Sequence, residues 1–310
     1  IFLSRWFTKS ERSKANAFLI LGNPATMLWM SVLSGYLINL FGWRWMFILE
    51  GFPAIIWAFF WWWLVDDRVR DAKWLNEAEK KDLEEQLLLE QQTIKPVKNY
   101  RIAFKSRIVI LLCVQYALWN IGVFGFIMWL PSIIKEAPDI SIVNTGWLSA
   151  IPYLFAIIGM FFVSYFSDKT QNRKVFIWPF LLIGAIAFYC SYLVGDASFW
   201  LSFVLLIIAG TTMYAPYAPF FALITEILPR NVAGGAIALI NSLGALGSFV
   251  GSYLVGYLNG ATGGFGASYI FMSGSLFMSA ILTIIAINKQ KYNEKIKSNN
   301  NAAIVITSEF

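Results

Sequence analysis

Among its 310 residues the chain has no histidine and only two cysteines, and 14% of its residues are charged. Without histidine there is no imidazole proton relay, and the commonest metal ligand is gone. Cys113 and Cys190 each sit inside an apolar run. A thiol there behaves as a small hydrophobe, so the pair reads neither as a disulfide nor as a metal site. A soluble domain carries about a quarter of its residues as charges, so the deficit excludes an ordinary soluble enzyme or binding module. No nucleophile–base pair, metal cluster or phosphate loop is visible, which argues further against an enzyme. Acids are scarce within the apolar runs: of 18 Asp and Glu residues, Glu50 and Glu226 alone touch them, both read as near run ends. The N-terminus lacks a basic region followed by a short apolar run and a small-residue cleavage site, so it does not read as a cleavable signal peptide. The opening Ile1-Phe2-Leu3 reads as the end of an apolar helix, and an upstream portion is expected.

The chain is rich in what a bilayer requires. It is 58% apolar and 17% aromatic. A spanning helix needs about 20 mostly apolar residues, and eight runs qualify: 15–39, 45–65, 108–134, 145–166, 174–194, 199–225, 232–258 and 266–287. Each must be helical, because backbone polar groups inside lipid have no water to bond. Of 24 Lys and Arg residues, 22 fall in the odd-numbered gaps, with Lys174 at the edge of the fifth run counted in the loop it closes. Basic residues favour the cytoplasmic face, so both ends of this chain are expected in the cytoplasm, in a multi-pass protein of a bacterial inner membrane. The net charge of +6 is scattered over alternate loops and forms no single patch. It is therefore no nucleic-acid footprint; the partner it implies is the lipid bilayer.

The spacing of the runs divides the chain. Residues 1–65 hold two spans, and 66–107 form a polar linker with ten basic and nine acidic residues. Asn76 to Gln92 is rich in helix formers with a Leu83/Leu87 stripe, which predicts a surface helix on that linker. Residues 108–288 hold six spans, and 289–310 form a Lys/Asn-rich tail expected to be disordered. Six helices behind a long cytoplasmic linker match the second half of a transporter built from two similar six-helix halves. On that arithmetic the eight spans are helices five to twelve of an all-α integral membrane fold, with four upstream helices required for activity.

Local motifs sharpen this. Ser164 to Lys174 (Ser-Tyr-Phe-Ser-Asp-Lys-Thr-Gln-Asn-Arg-Lys) resembles the cytoplasmic loop signature of the major facilitator superfamily, with Ser164 and Asn172 at its glycine positions. Asp168, Lys169 and Arg173 would then form a gating latch at a helix end; the plainer reading is a basic cytoplasmic loop. Arg5 to Arg12, Gly42 to Gly51 and Trp129-Leu130-Pro131 resemble the anion:cation symporter family of that superfamily. The resemblance implies carriage of organic anions, many of them sugar acids. Leu21 to Pro24, Pro96 to Arg101, Met213 to Tyr217 and Asn231 to Gly235 look closest to 2-ketogluconate transporters, with L-galactonate carriers as sisters.

Buried polar residues at mid-membrane are default site candidates. Asn23, Gln115, Asn120 and Asn241 lie inside spans, with Tyr116, Trp119, Tyr153, Tyr214 and Tyr217 at comparable depths. A hydroxylated carboxylate calls for uncharged donors and acceptors with aromatic walls; equally, amides can bond to neighbouring helices and tyrosines can anchor helix ends. The resemblance matches Asn23 and Asn241 to the two amides that contact the sugar acid in galactonate-type carriers. Pro216 and Pro219 read as a kink or hinge. Gly244, Ser248, Ser252 and Gly256, with Gly247 and Gly251 beside them, give one helix a small-residue face, either a sliding seam or static packing. The resemblance places the proton-binding group and the substrate's arginine upstream of this chain. The expectation is a monomeric, proton-coupled transporter of a small organic anion, needing no cofactor; a non-transporting membrane protein is the alternative.

Overall fold

In the computed structural model, residues 6–7, 9–66, 68–72, 74–92, 107–135, 137, 140–170, 172–195, 197–227 and 230–286 are described. They are helical apart from turns and short connections. The helices are α1 (Lys9–Phe41), α2 (Trp43–Leu64), α3 (Glu77–Gln92), α4 (Arg107–Lys135), α5 (Ile142–Thr170), α6 (Trp178–Gly195), α7 (Phe199–Tyr214), α8 (Tyr217–Ile227), α9 (Arg230–Thr262) and α10 (Gly266–Ala286). Among the described residues eight segments are long and apolar enough to cross a membrane, with α7 and α8 sharing one of them. Their limits fall within a few residues of the sequence-predicted runs, apart from the first, which starts at Leu21. The surface helix expected on the linker is α3, with Leu83 and Leu87 half-buried and Leu88 and Leu89 exposed. The rest of the linker from 93 to 106 and the tail 289–310 lie outside the described residues.

The chain falls into two compact units: Ile1–Pro96 with Ile134–Leu154, and Val97–Ile133 with Phe155–Phe310. In the first, α1 and α2 form a helical hairpin whose turn is Gly42, at φ 78°, a conformation that costs glycine little. The Gly42 amide donates to Ile38 O at 2.9 Å and its carbonyl accepts from Met46 N at 3.2 Å, so each helix is closed onto the turn. α1 meets the start of α5 through small residues: a methyl group on Gly146 would lie 2.5 Å from Ser31 O, and one on Gly35 would lie 3.1 Å from Ile142 O. Beyond the hairpin, Trp6 stacks on Trp74 (5.5 Å between centroids) and donates to Asp66 O at 3.1 Å.

Glu50, read as near a run end, lies about 10 Å along α2, a helix about 33 Å long that begins at Trp43. It accepts a hydrogen bond from Ser34 Oγ of α1 at 2.6 Å.

The second unit is a helix bundle held by close backbone approach and buried hydroxyls. A methyl group on Gly247 of α9 would sit 2.2 Å from Ala117 O of α4, and one on Gly251 would sit 2.4 Å from Ile121 O. Trp129 closes the same seam, donating to Ser252 O at 3.1 Å and lying against Gly256. Without a hydrophobic effect between helices in lipid, such small-residue contact supplies the packing. Elsewhere, buried Ser191 and Ser202 bridge α6 and α7, each hydroxyl donating to the other's backbone carbonyl, at 3.1 and 2.9 Å. Ser268 donates to Val255 O, and Ser279 to Gln115 O, tying α10 to α9 and α4. Each hydroxyl thus finds an acceptor that hydrocarbon cannot offer.

Candidate functional site

The densest polar–aromatic cluster among the described residues forms where α7 breaks into α8. Proline has no amide hydrogen, so Pro216 and Pro219 cannot donate to the carbonyls four residues earlier. The helix stops at Tyr214, turns through Ala215-Pro216 and restarts at Tyr217. Trp119 of α4 uses the break: its indole N–H donates to the Met213 carbonyl at 3.0 Å, and its ring is fully buried. A buried carbonyl without a donor costs about 1–3 kcal/mol, so the indole offsets part of what the break exposes.

Around that bond the rings pack in specific geometries. Trp119 lies 4.5 Å from Tyr217 and 5.4 Å from Phe220, the latter edge to face. Tyr116, one turn earlier on α4, stacks on Phe220 at 5.2 Å and meets Tyr217 edge-on at 6.3 Å. Tyr214 lies 5.9 Å from Tyr217. The Asn120 amide donates to the backbone carbonyl of Tyr116 at 2.8 Å. Gly244 of α9 forms the opposing wall: a methyl group there would lie 2.5 Å from the Tyr116 ring and 3.1 Å from Asn120 Nδ2. The cluster thus offers two or three phenolic hydroxyls and a carboxamide, without a formal charge.

The structure therefore brings together Tyr116, Asn120, Tyr214 and Tyr217 of the sequence-predicted residues, with Trp119. It sends Gln115 elsewhere. That side chain is fully buried against α10, donating to Ser279 Oγ at 3.0 Å, while its Oε1 has no partner. Asn241 is exposed on α9, and in the other unit Asn23 is exposed on α1 while Tyr153 is buried. Phe220, Phe221 and Gly244 were not foreseen as site residues. The signal for the two phenylalanines was the run Tyr214-Ala-Pro-Tyr-Ala-Pro-Phe-Phe221, whose prolines mark a break that gathers its own aromatics.

The loop residues also meet. The Arg173 guanidinium pairs with Asp168 and lies 3.3 Å from the buried Ser167 hydroxyl, while Lys169 is exposed. Asn172 leads into a 3-10 turn, Arg173–Phe176, which packs against α8. One short helix therefore carries Tyr217 of the aromatic cluster at its start and also contacts the loop turn. The first unit's shallow hollow lined by Ala54, Ile55, Ala58, Phe59 and Trp62 lies on α2 alone and is apolar. Among the described residues no group of His, Cys, Asp or Glu could hold a metal ion.

Comparison with known proteins fits this architecture. The chain is 30% identical to a quinolone resistance transporter of Acinetobacter baumannii, over 93% of this chain and 68% of that protein. It is 30% identical to a protein of Agrobacterium vitis named "Putative tartrate transporter", over 92% of this chain and 64% of that one. It is 22% identical to a D-galactonate transporter of Escherichia coli, over 93% and 70%. The chain thus spans about two thirds of these relatives' length. Its fold resembles that of a D-xylose–proton symporter of known structure, with TM-score 0.67 and 16% identity, over 91% of this chain and 65% of that one. These similar proteins are all membrane transporters, not enzymes. The Major Facilitator Superfamily model matches residues 1–252 and 121–307, and the chain belongs to that superfamily.

Proposed function

We propose that the chain is part of a secondary transporter that carries a hydroxylated organic anion, a sugar acid of the 2-ketogluconate or aldonate kind, together with a proton. The carrying observation is the clustering of Tyr116, Tyr214 and Tyr217 with Asn120 around the break between α7 and α8. A sugar acid presents many hydroxyls and one carboxylate. Neutral phenols and a carboxamide can exchange hydrogen bonds with the hydroxyls in a dry site, where each unmatched polar group is costly. Relatives named for tartrate and D-galactonate support the same class. Asn241, exposed on α9, is a further substrate contact in this reading.

In this reading the second unit changes state by rocking, with α8 as the element that moves. Its start carries Tyr217, and the turn bearing the Asp168–Arg173 pair packs against it. Breaking that pair releases α8 and loosens the aromatic cluster. The basic-residue bias orients the chain with both ends in the cytoplasm of a bacterial inner membrane, and the unit works as a monomer with no cofactor beyond the proton.

The test is uptake of labelled 2-ketogluconate, galactonate and tartrate by cells expressing the transporter that contains this chain, with and without a protonophore. Protonophore-sensitive uptake of at least one supports the proposal; no uptake of any sugar acid ends it. Asn241→Ala with normal membrane insertion should weaken apparent affinity, and unchanged affinity removes Asn241 from the site. The similarity to a quinolone resistance transporter favours a second reading, export of a planar aromatic drug stacked on the same rings. Lowered drug accumulation without sugar-acid uptake would select it.

A further inference from the structure

Building on the sugar-acid reading, we propose that Gly244 of α9 is a positioning residue that sets which chain length of anion the aromatic cluster accepts. Three observations meet there. The first is that the backbone does not call for glycine. Gly244 lies inside α9, where alanine is the better residue, and the described glycines with positive φ are Gly42 and Gly263. The second is what a side chain would meet. A methyl group on Gly247 or Gly251 runs into the backbone of α4, the mark of helix packing. On Gly244 it would lie 2.5 Å from Tyr116 Cε1, 2.6 Å from Cδ1 and 3.1 Å from Asn120 Nδ2, all side-chain atoms of the cluster. The third is that Tyr116 is hemmed in. Its ring stacks on Phe220 at 5.2 Å and meets Phe221, Trp119 and Tyr217 edge to face at 5.7, 5.7 and 6.3 Å.

The chemistry of the cluster says which part of an anion it reads. Phenols and a carboxamide bring no formal charge, and a carboxylate taken out of water needs a cation or several donors. The cluster therefore suits the hydroxylated tail of the substrate and not its charged end. Asn241 precedes Gly244 by three residues and is exposed, whereas Gly244 is buried. Side chains so spaced start about 5–6 Å apart on a helix surface. The way from the exposed amide to the buried phenol thus crosses the bare α-carbon of Gly244. Ser248, the next polar residue on that face, is occupied locally, its hydroxyl donating to Gly244 O at 3.1 Å. A six-carbon acid such as 2-ketogluconate or galactonate carries hydroxyls far enough from its carboxylate to reach Tyr116. Four-carbon tartrate, held by a carboxylate at the same point, ends short of it.

A methyl group on Gly244 regains ordinary contact, 3.4 Å, only if the Tyr116 edge retreats by about 0.9 Å. The ring is rigid, so the phenol hydroxyl moves with it, and a hydrogen bond to the substrate tail is stretched or lost. The carboxylate end of the substrate does not feel the shift. A single methyl changes discrimination in a binding pocket by about 10–200-fold. Because Tyr116 can tilt as well as retreat, the lower end of that range applies.

The test is the concentration dependence of uptake by cells expressing the transporter that contains this chain. Gly244→Ala should raise the half-saturating concentration of 2-ketogluconate or galactonate about tenfold, with a maximal rate within about twofold of wild type, as for lost uniform binding. Half-saturation by tartrate should move by less than about twofold, since it makes no bond to Tyr116. Tyr116→Phe removes the hydroxyl and keeps the ring, so it should give the same selective loss. Both changes act through one hydroxyl, so the double variant should be no worse than the poorer single one. Additive losses, equal losses at both chain lengths, a fall in maximal rate alone, or wild-type uptake of tartrate alone each overturn the proposal. Should Gly244→Ala fail to reach the membrane, Tyr116→Phe decides, because equal losses at both chain lengths remove the tail-reading role. Sugar-acid uptake with unaltered selectivity in both variants ends the role of Gly244 and leaves the transport reading standing; no uptake by the wild-type protein ends both.

Discussion

The sharpest quantitative consequence concerns Gly247 of α9. A methyl group there would sit 2.2 Å from Ala117 O, 2.8 Å from Ala117 C and 2.9 Å from its Cα, where ordinary contact begins at 3.4 Å. Gly247→Ala therefore falls about 1.2 Å short of contact distance. Every atom it meets is backbone, so no rotamer change relieves the overlap; α4 and α9 must separate. Overpacking of this kind costs about 1–3 kcal/mol, and the rigid partner argues for the upper half. Gly274 on α10 is the control, since a methyl group there meets nothing within 4 Å. Glycine inside a helix is worse than alanine by about 0.5–1 kcal/mol, so Gly274→Ala should stabilise slightly. The same chemical change thus takes opposite signs at two positions, separated by roughly 2–4 kcal/mol. Denaturant unfolding of the purified transporter in lipid nanodiscs, followed by tryptophan fluorescence, reads both. Equal midpoints for the two variants would refute backbone contact between α4 and α9.

Three further outcomes follow from single hydrogen bonds or pairs. Gln115→Met removes the unpartnered Oε1 together with one bond to Ser279, so unfolding free energy should move by less than about 1 kcal/mol, with uptake retained. Lost uptake at full stability would instead return Gln115 to the substrate site. Trp119→Phe leaves the Met213 carbonyl without its indole donor and should cost about 1–3 kcal/mol in the same unfolding assay; a neutral effect would mean the break needs no brace. Asp168→Asn removes a pair whose acid is largely exposed, so its stability change should stay below about 1 kcal/mol. A transport rate that changes while stability does not would support the latch, and an unaltered rate would leave it a basic loop.

How far the sequence could be read depended on what kind of information each feature needs. The spans were legible because lipid imposes a rule on composition alone, and α4 to α10 follow it within a few residues. Helix α3 was legible because Leu83 and Leu87 carry the helical period. Contacts between helices depend instead on rotation about each axis, which composition does not encode. Gln115 and Tyr116 are adjacent in sequence and equally suited to a site, yet the 100° between them sends Gln115 to Ser279 on α10 and Tyr116 to Phe220 on α8. The glycines of α9 were visible as a small-residue face, but which partner they approached was not; Ala117 and Ile121 offer no sequence signal for being touched.

Glu50 shows the same limit in its sharpest form. Its position along the apolar run could be counted from composition, but its partner could not. The Gly42 turn reverses the chain so that Ser34 and Glu50, each eight positions away, stand opposite one another, and Ser34 Oγ donates to Glu50 Oε1 at 2.6 Å. A single glycine conformation thus decides which hydroxyl this acid meets.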